Sequence, residues 1–101
     1  MDLVSVRTSI ATGFAQYAVY DLSFWGEDGY SHDQVLAMVN LPNPRVRLSS
    51  VGALRGLGYE PVRTQPWPHL EVRFETDPTD EELERLIRVF EAPIPNPWRR
   101  Q

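Results

Sequence analysis

The sequence of 101 residues contains no cysteine and no lysine. Without thiols the chain cannot form disulfides, bind a metal through thiolates or use a cysteine nucleophile, so these kinds of site are excluded. Every cationic side chain other than the histidines is an arginine. Arginine suits the recognition of carboxylates and aromatic rings. The arginines are nevertheless spread along the whole chain, which favours codon bias over a dedicated arginine-rich site.

Long apolar runs are also missing, and no signal peptide is recognisable at the N-terminus. No stretch approaches the ~20 apolar residues that a membrane span needs. We therefore expect a cytoplasmic protein with no membrane partner. The formal net charge of −4 disfavours nucleic acid as a partner, because affinity for phosphates depends on clustered basic side chains.

Motifs for catalysis and cofactor binding are absent from the sequence. There is no Gly-x-Ser-x-Gly elbow, and the glycines of residues 52–58 fit a short helix and its end better than a phosphate cradle. His32 and His69 have no partners at metal-ligand spacing. The acidic segment 76–82 lacks the alternating ligands of a calcium loop. We therefore expect no catalytic residues, no metal site and no cofactor.

The composition is that of a folded chain, with 42% hydrophobic residues and 3 tryptophans. A chain of this length is expected to form one domain around a modest core. We predict that residues 1–92 form a single α+β domain. Residues 93–101 are expected to form a proline-rich C-terminal tail.

Alternating side chains predict two β-hairpins. Residues 3–10 alternate apolar and polar side chains, and residues 14–25 continue with a longer, more aromatic alternation after a turn at Gly13. Residues 59–64 and 70–74 predict the second hairpin. Pro61 lacks a backbone donor, which places the strand 59–64 at an edge or confines the proline to its start.

Capping-box spacing marks the start of two helices, at Ser31 with Gln34 and at Thr79 with Glu82. The first is expected to run from His32 to Val39. In the second, one apolar stripe faces the core. This stripe comprises Leu83, Leu86, Ile87 and Phe90.

A weaker helix is predicted between these two, over about residues 50–57, with Gly58 as its left-handed end. The predicted order is ββααββα. We expect a four-stranded antiparallel sheet made of two hairpins, with the three helices mainly on one face.

A Pro-Asn-Pro motif occurs twice, at residues 42–44 and 95–97, each time after a predicted helix. Three interpretations are open: a pair of helix stops, the trace of a duplicated ββα unit, or a recognition element used twice. The helix stop is favoured because proline is common just after a helix ends. Whether the second copy docks on the domain or extends from it is left open.

Aromatic and arginine residues in turns and in the tail are the main functional signal. Tryptophan, tyrosine and arginine are enriched at the hot spots of protein interfaces. A structural alternative is that the tryptophans fold back and plug the ends of a small core. The candidate partner-binding residues are Trp25, Tyr30, Arg45, Trp67, Trp98 and Arg99.

These observations favour a small non-catalytic module that binds another protein. An immunity protein, an antitoxin-like neutraliser and an accessory subunit of a larger complex all fit this description. One alternative is a small-ligand-binding protein or enzyme with a pocket between sheet and helices. Another is a self-associating structural domain, a homodimer that packs through the strand 59–64 or through the tail.

Overall fold

In the computed structural model, which describes residues 2–98, four helices pack against two antiparallel sheets. The helices are α1 Leu3–Tyr17, α2 His32–Val39, α3 Val51–Gly56 and α4 Asp80–Arg88. The strands are β1 Tyr20–Trp25, β2 Arg45–Val46, β3 Val62–Arg63, β4 His69–Phe74 and β5 Ile94–Pro95. The domain therefore belongs to the α+β class that the sequence predicts.

The N-terminal segment is a helix, so the prediction of a first hairpin is wrong. Asp2 caps α1: its carboxylate accepts a hydrogen bond from the Ser5 backbone N–H at 2.8 Å, and Ser5 Oγ accepts one from Asp2 N at 3.3 Å. Val6 and Ile10 are 4% and 2% exposed. Residues four apart share a face in a strand and in a helix alike. The apolar positions Val6 and Ile10 are therefore compatible with a helix as well as with the predicted strand.

Because the first predicted strand is helical, β1 pairs with β4 rather than with an N-terminal neighbour. The larger sheet has the order β1–β4–β3, and β2 and β5 form a separate sheet of two strands. The predicted single four-stranded sheet and the order ββααββα are thus wrong. The hairpin of β3 and β4 is confirmed, with the short β3 at the edge of its sheet.

The helix starts that were predicted from capping signals are confirmed. α2 has the predicted bounds, with the Ser31–Gln34 capping box at its start and Asn40 in the left-handed region at its end. α4 begins at the Thr79–Glu82 capping box. These signals depend on neighbouring residues alone, which is why the sequence locates them well.

The two faces of the β1–β4 ladder differ in chemistry. On the core face Leu22 lies opposite Val72, and Phe24 lies opposite Leu70. On the other face the cross-strand pairs are Asp21 with Arg73, Ser23 with Glu71, and Trp25 with His69. Helices complete the main core cluster on the first face. Its helical members are Val6, Ile10, Leu54, Leu83 and Leu86.

The element order α-β-α-β occurs twice along the chain, with β3 added in the second half. Helix caps at equivalent places are 48 residues apart: Asp2 and Ser50, Ser31 and Thr79. Ser23 and Glu71, which face each other within the β1–β4 ladder, are also 48 residues apart. Equivalent strands that pair antiparallel in this way are related by an approximate twofold axis. The repeated element order is therefore αβαβ, and not the ββα unit that was one of the three open interpretations of the Pro-Asn-Pro motif.

The two Pro-Asn-Pro motifs meet in space. β2 pairs antiparallel with β5, with Arg45 opposite Pro95 and Val46 opposite Ile94. The backbone N–H of Asn96 donates to the Pro44 carbonyl oxygen at 3.0 Å and extends this contact. The C-terminal segment thus docks on the connector between α2 and α3. Each motif follows a helix, and each also lies at one strand of the smaller sheet.

Asn96 is the polar residue that holds this junction together. It is 7% exposed. Its Nδ2 donates to the carbonyl oxygens of Leu41 and Asn43, both at 3.2 Å. Its Oδ1 accepts a hydrogen bond from the backbone N–H of Trp98 at 3.0 Å. The buried amide therefore uses both of its donors and its acceptor.

Replacement of Asn96 by alanine should destabilise the protein by about 1–3 kcal/mol, because buried backbone groups lose their partners. Asn43 occupies the same place in the other motif, but its side chain is exposed. The matched change Asn43→Ala should stay within about 0.5 kcal/mol. Urea unfolding of both variants measures the difference, and equal costs would contradict the role assigned to Asn96.

Leu86→Ala should cost about 2–5 kcal/mol, as expected for a buried large-to-small change. Leu86 is 0% exposed, whereas Met38, at the equivalent position of α2, is 39% exposed. Met38→Ala should therefore cost less than about 1 kcal/mol. Thermal and chemical unfolding of the two variants test this, and a small cost at Leu86 would refute the placement of α4.

Candidate functional site

A groove of about 730 Å³ opens between α2 and α3, next to the end of β1. Its size lies within the ~300–1,000 Å³ that is usual for binding pockets. Apolar side chains from four parts of the chain form its floor: Val35, Leu36, Leu54, Leu70 and Phe90. Val35 and Leu36 contribute to this floor but lie outside the main core cluster.

Arginines outnumber acids around the groove. The charged lining residues are Arg45, Arg47, Arg55, Arg63, Glu27 and Asp28. Arg47 anchors the connector by donating to the backbone oxygens of Glu91 at 2.7 Å and Phe90 at 3.2 Å. Arg45 is exposed and makes no ion pair with any of residues 2–98. Arg63 pairs with Glu27 and Arg55 with Glu60, so Arg45 is the cationic side chain that the groove presents on a chain of net charge −4.

Trp25, Tyr30 and Trp67 lie at one end of the groove, and we call them the aromatic rim. Trp25 and Tyr30 line the groove itself. The ring of Trp67 meets that of Tyr30 edge to face, with centroids 5.9 Å apart. Trp25 packs in the same way on His69 at 4.8 Å. The side chains of the rim are 36%, 45% and 45% exposed, so they present apolar surface to solvent.

Polar contacts hold the aromatic rim in place. Trp67 Nε1 donates to the carboxylate of Glu27. Arg63 donates to Glu27 Oε1 and to the Gly26 carbonyl oxygen, each at 3.2 Å. The Trp67 hydrogen bond, followed by the Asp28 backbone N–H and the Arg63 charge, lowers the pKa of the Glu27 carboxyl below its ordinary value. Glu27 is therefore an ionised acceptor that ties the hairpin loop to the end of β1.

The structure brings several of the predicted partner-binding residues together. Trp25, Tyr30 and Arg45 line the groove, and Trp67 contacts its wall. Trp98 is 48% exposed beside the buried Asn96 and does not line the groove. Arg99 lies outside the described residues. Sequence position alone could not show which of these turns are neighbours.

A second cleft, which contains two neighbouring carboxyl side chains, lies beside α1 and was not predicted from the sequence. Asp21 and Glu71 lie there, on the same face of the β1–β4 ladder. Burial raises the pKa of the Asp21 carboxyl, and the neighbouring Glu71 charge raises it further. The α1 backbone approaches so closely at Gly13 that a Cβ there would lie 3.0 Å from Asp21 Oδ1. The sequence places Asp21 and Glu71 at polar positions of two strands with alternating side chains, but it does not show that these two strands pair.

The two histidines serve local contacts. His32 Nε2 lies 3.0 Å from the Ser49 carbonyl oxygen, which ties the start of α2 to the connector. His69 Nδ1 contacts the Thr64 hydroxyl at the base of the β3–β4 hairpin. Between Asp2 and Trp98 no three His, Asp or Glu side chains are grouped as a metal ion would require.

Comparison with protein-family models, curated proteins and solved structures found no match to this chain. Function therefore has to be inferred from the geometry of the chain itself. Within the described part of the chain, no helix has the length and apolar character needed to cross a membrane. The groove with its aromatic rim is the site that combines apolar surface, exposed aromatic rings and charge.

Replacement of Asp21 by asparagine should stabilise the protein near neutral pH by a few tenths of a kcal/mol, the scale of a partly solvated charge contact. The raised pKa means that ionised Asp21 opposes folding, and asparagine removes that cost. The gain should shrink as the pH falls through the raised pKa and be lost below the ordinary value of 3.8, where the carboxyl is protonated in both states. Urea unfolding at about pH 7 and about pH 3 measures this. An equal gain at both pH values would contradict the assignment.

Proposed function

We propose that this protein is a non-catalytic module that binds another protein through the aromatic rim and the adjoining groove. The observation that carries the proposal is the cluster of three exposed aromatic side chains at the edge of an apolar groove. Exposed apolar patches with polar borders commonly mark interaction sites. Tryptophan, tyrosine and arginine, which supply this surface, dominate the energetics of protein interfaces.

The rigidity of the rim also supports this function. Trp67 is held by Glu27 and by the Tyr30 ring, and Trp25 is held by His69. A surface whose rings are already ordered loses little conformational entropy when a partner binds. An immunity or antitoxin-like neutraliser, or an accessory subunit of a larger complex, is the kind of protein that we propose.

Small-ligand binding in the groove is a second candidate, and the volume of about 730 Å³ favours it. A thermal-shift screen with small anionic and apolar metabolites separates the two proposals. A small ligand that fills the groove should raise the melting temperature by mass action. A protein-binding module should instead show no response to these compounds. Light scattering in parallel detects the third possibility, self-association into a dimer.

Tyr30→Ala and Trp67→Ala should each weaken capture of the partner from the native host by about 30-fold, the effect of a ~2 kcal/mol hot spot. Both rings are 45% exposed, so the fold should persist. Quantitative affinity capture with the wild-type chain and each variant measures the loss, with circular dichroism as a check of folding.

Tyr17→Ala is the matched control, because Tyr17 is an exposed aromatic residue at 67% that does not line the groove. It should leave capture unchanged. If Tyr17→Ala reduced capture as much as Tyr30→Ala, the aromatic rim would not be the contact surface. A loss confined to Trp98→Ala would place the contact at the C-terminal segment instead.

A further inference from the structure

The two halves of the αβαβ repeat differ in how well their second helix is covered. In α4, Leu83 and Leu86 are both 0% exposed. The equivalent residues of α2, 48 positions earlier, are Val35 at 8% and Met38 at 39%. Val35 lines the groove rather than the main core cluster. α2 is thus the less covered copy of α4.

The first helix of each half differs in length and in what it packs against. α1 has 15 residues, and its Val6 and Ile10 lie in one buried cluster with Leu83 and Leu86. α3 has 6 residues and supplies Leu54, the equivalent of Val6.

The position equivalent to Ile10 is Gly58, which has a φ of +94° and lies beyond the end of α3. The second and later turns of α1 therefore have no counterpart beside α2.

An ion-pair clamp is also present in one half and missing from the other. Arg7 of α1 contacts Asp77 at 3.0 Å and Asp80 at 2.7 Å, which fastens α1 to the start of α4. Arg55, the equivalent arginine of α3, pairs instead with Glu60 at 2.8 Å. α3 is therefore not fastened to the start of α2 by this arginine, and the groove stays open.

We propose that the groove receives an acidic amphipathic helix of the partner protein, which lies beside α2 where the later turns of α1 lie beside α4. This inference rests on the proposed function and names the partner element that the site takes. A helix of about four turns, or ~14 residues, would be close in length to α1, which has 15 residues. Apolar side chains at i, i+3 or i+4, and i+7 would meet the groove floor.

The charge of the groove selects an acidic rather than a basic helix. Of the four arginines that line it, Arg55 is paired with Glu60 and Arg63 with Glu27, so Arg45 is the cation that the groove offers to a partner. Arg45 is exposed and has no ion-pair partner among residues 2–98. A carboxylate on the outer flank of the helix would pair with Arg45 at the groove edge. Complementary charges of this kind set orientation and specificity.

The test is selection of phage-displayed random peptides of about 14 residues on the full-length protein, followed by titration of a synthetic copy of the most enriched peptide. The expected peptides are acidic, carry apolar residues at helical spacing and gain helicity on binding. Amide NMR shifts should change at Val35, Leu36 and Leu54 and not at Asp21 or Glu71.

Two charge reversals provide matched variants with the same change in net charge. Arg45→Glu should lower the affinity of the protein for the selected peptide by about tenfold or more. Arg88→Glu, at a highly exposed side chain of α4 that does not line the groove, should leave its affinity unchanged. Equal effects of the two reversals would overturn the inference.

Enrichment of basic or extended proline-rich peptides, or of no peptide at all, would likewise overturn it. The proposed function is judged separately, by the dependence of native-partner capture on Tyr30 and Trp67. Capture that needs these rings, without selection of acidic helices, would retain the protein-binding module and reject the helix in the groove.

Discussion

The antiparallel pairing of β1 with β4 is the constraint on which the rest of the structure depends. It joins the two halves of the chain and divides their side chains between an apolar and a polar face. On the apolar face Leu22 and Val72 meet the helices. At one end of the ladder Trp25, a member of the aromatic rim, packs on His69. Both the core and the candidate site are consequences of this register, since a slip of one residue would exchange the two faces.

The pairing of β2 with β5 is a second long-range contact, and it brings the two Pro-Asn-Pro motifs together. The motifs look equivalent in the sequence, yet Asn96 is buried with its hydrogen bonds satisfied while Asn43 is exposed. One copy supplies the amide and the other supplies a carbonyl oxygen. A local pattern of helix stops is therefore used for a long-range contact. This contact also holds the connector that forms one wall of the groove.

The groove arises because the two halves of the chain share an element order but differ in how well their second helix is buried. The long helix α1 packs along α4, whereas its equivalent α3 has only 6 residues. Leu86 is therefore fully buried while its equivalent Met38 is 39% exposed, and Val35, the equivalent of Leu83, lines the groove. The exposed apolar surface costs solvation free energy that a bound partner would recover. That is the physical reason for placing the function on the α2 side of the molecule. The second cleft, which contains Asp21, lies instead beside α1, outside the groove.

Part of the candidate site was predictable, because Trp25, Tyr30 and Trp67 stand in turns beside glycine and proline, where large exposed side chains draw attention. Their meeting at one groove was not predictable, since Trp67 is contributed by a hairpin about forty residues further along the chain. The proximity of the Asp21 and Glu71 carboxyl groups was not predictable either, because these residues belong to strands far apart in the chain. Each acid alone looks like an ordinary solvated strand residue.

The amino-acid sequence by itself determined where α2 and α4 begin and the absence of thiol chemistry. These properties depend on side chains a few residues apart, or on composition alone. Only the tertiary structure decided that residues 3–10 form a helix, that β1 pairs with β4, and that one Pro-Asn-Pro motif binds the other. Val6 and Ile10 satisfy both the strand and the helix period, and the core of α4 and the sheet selects the helix. Long-range burial, which no local pattern encodes, made that choice.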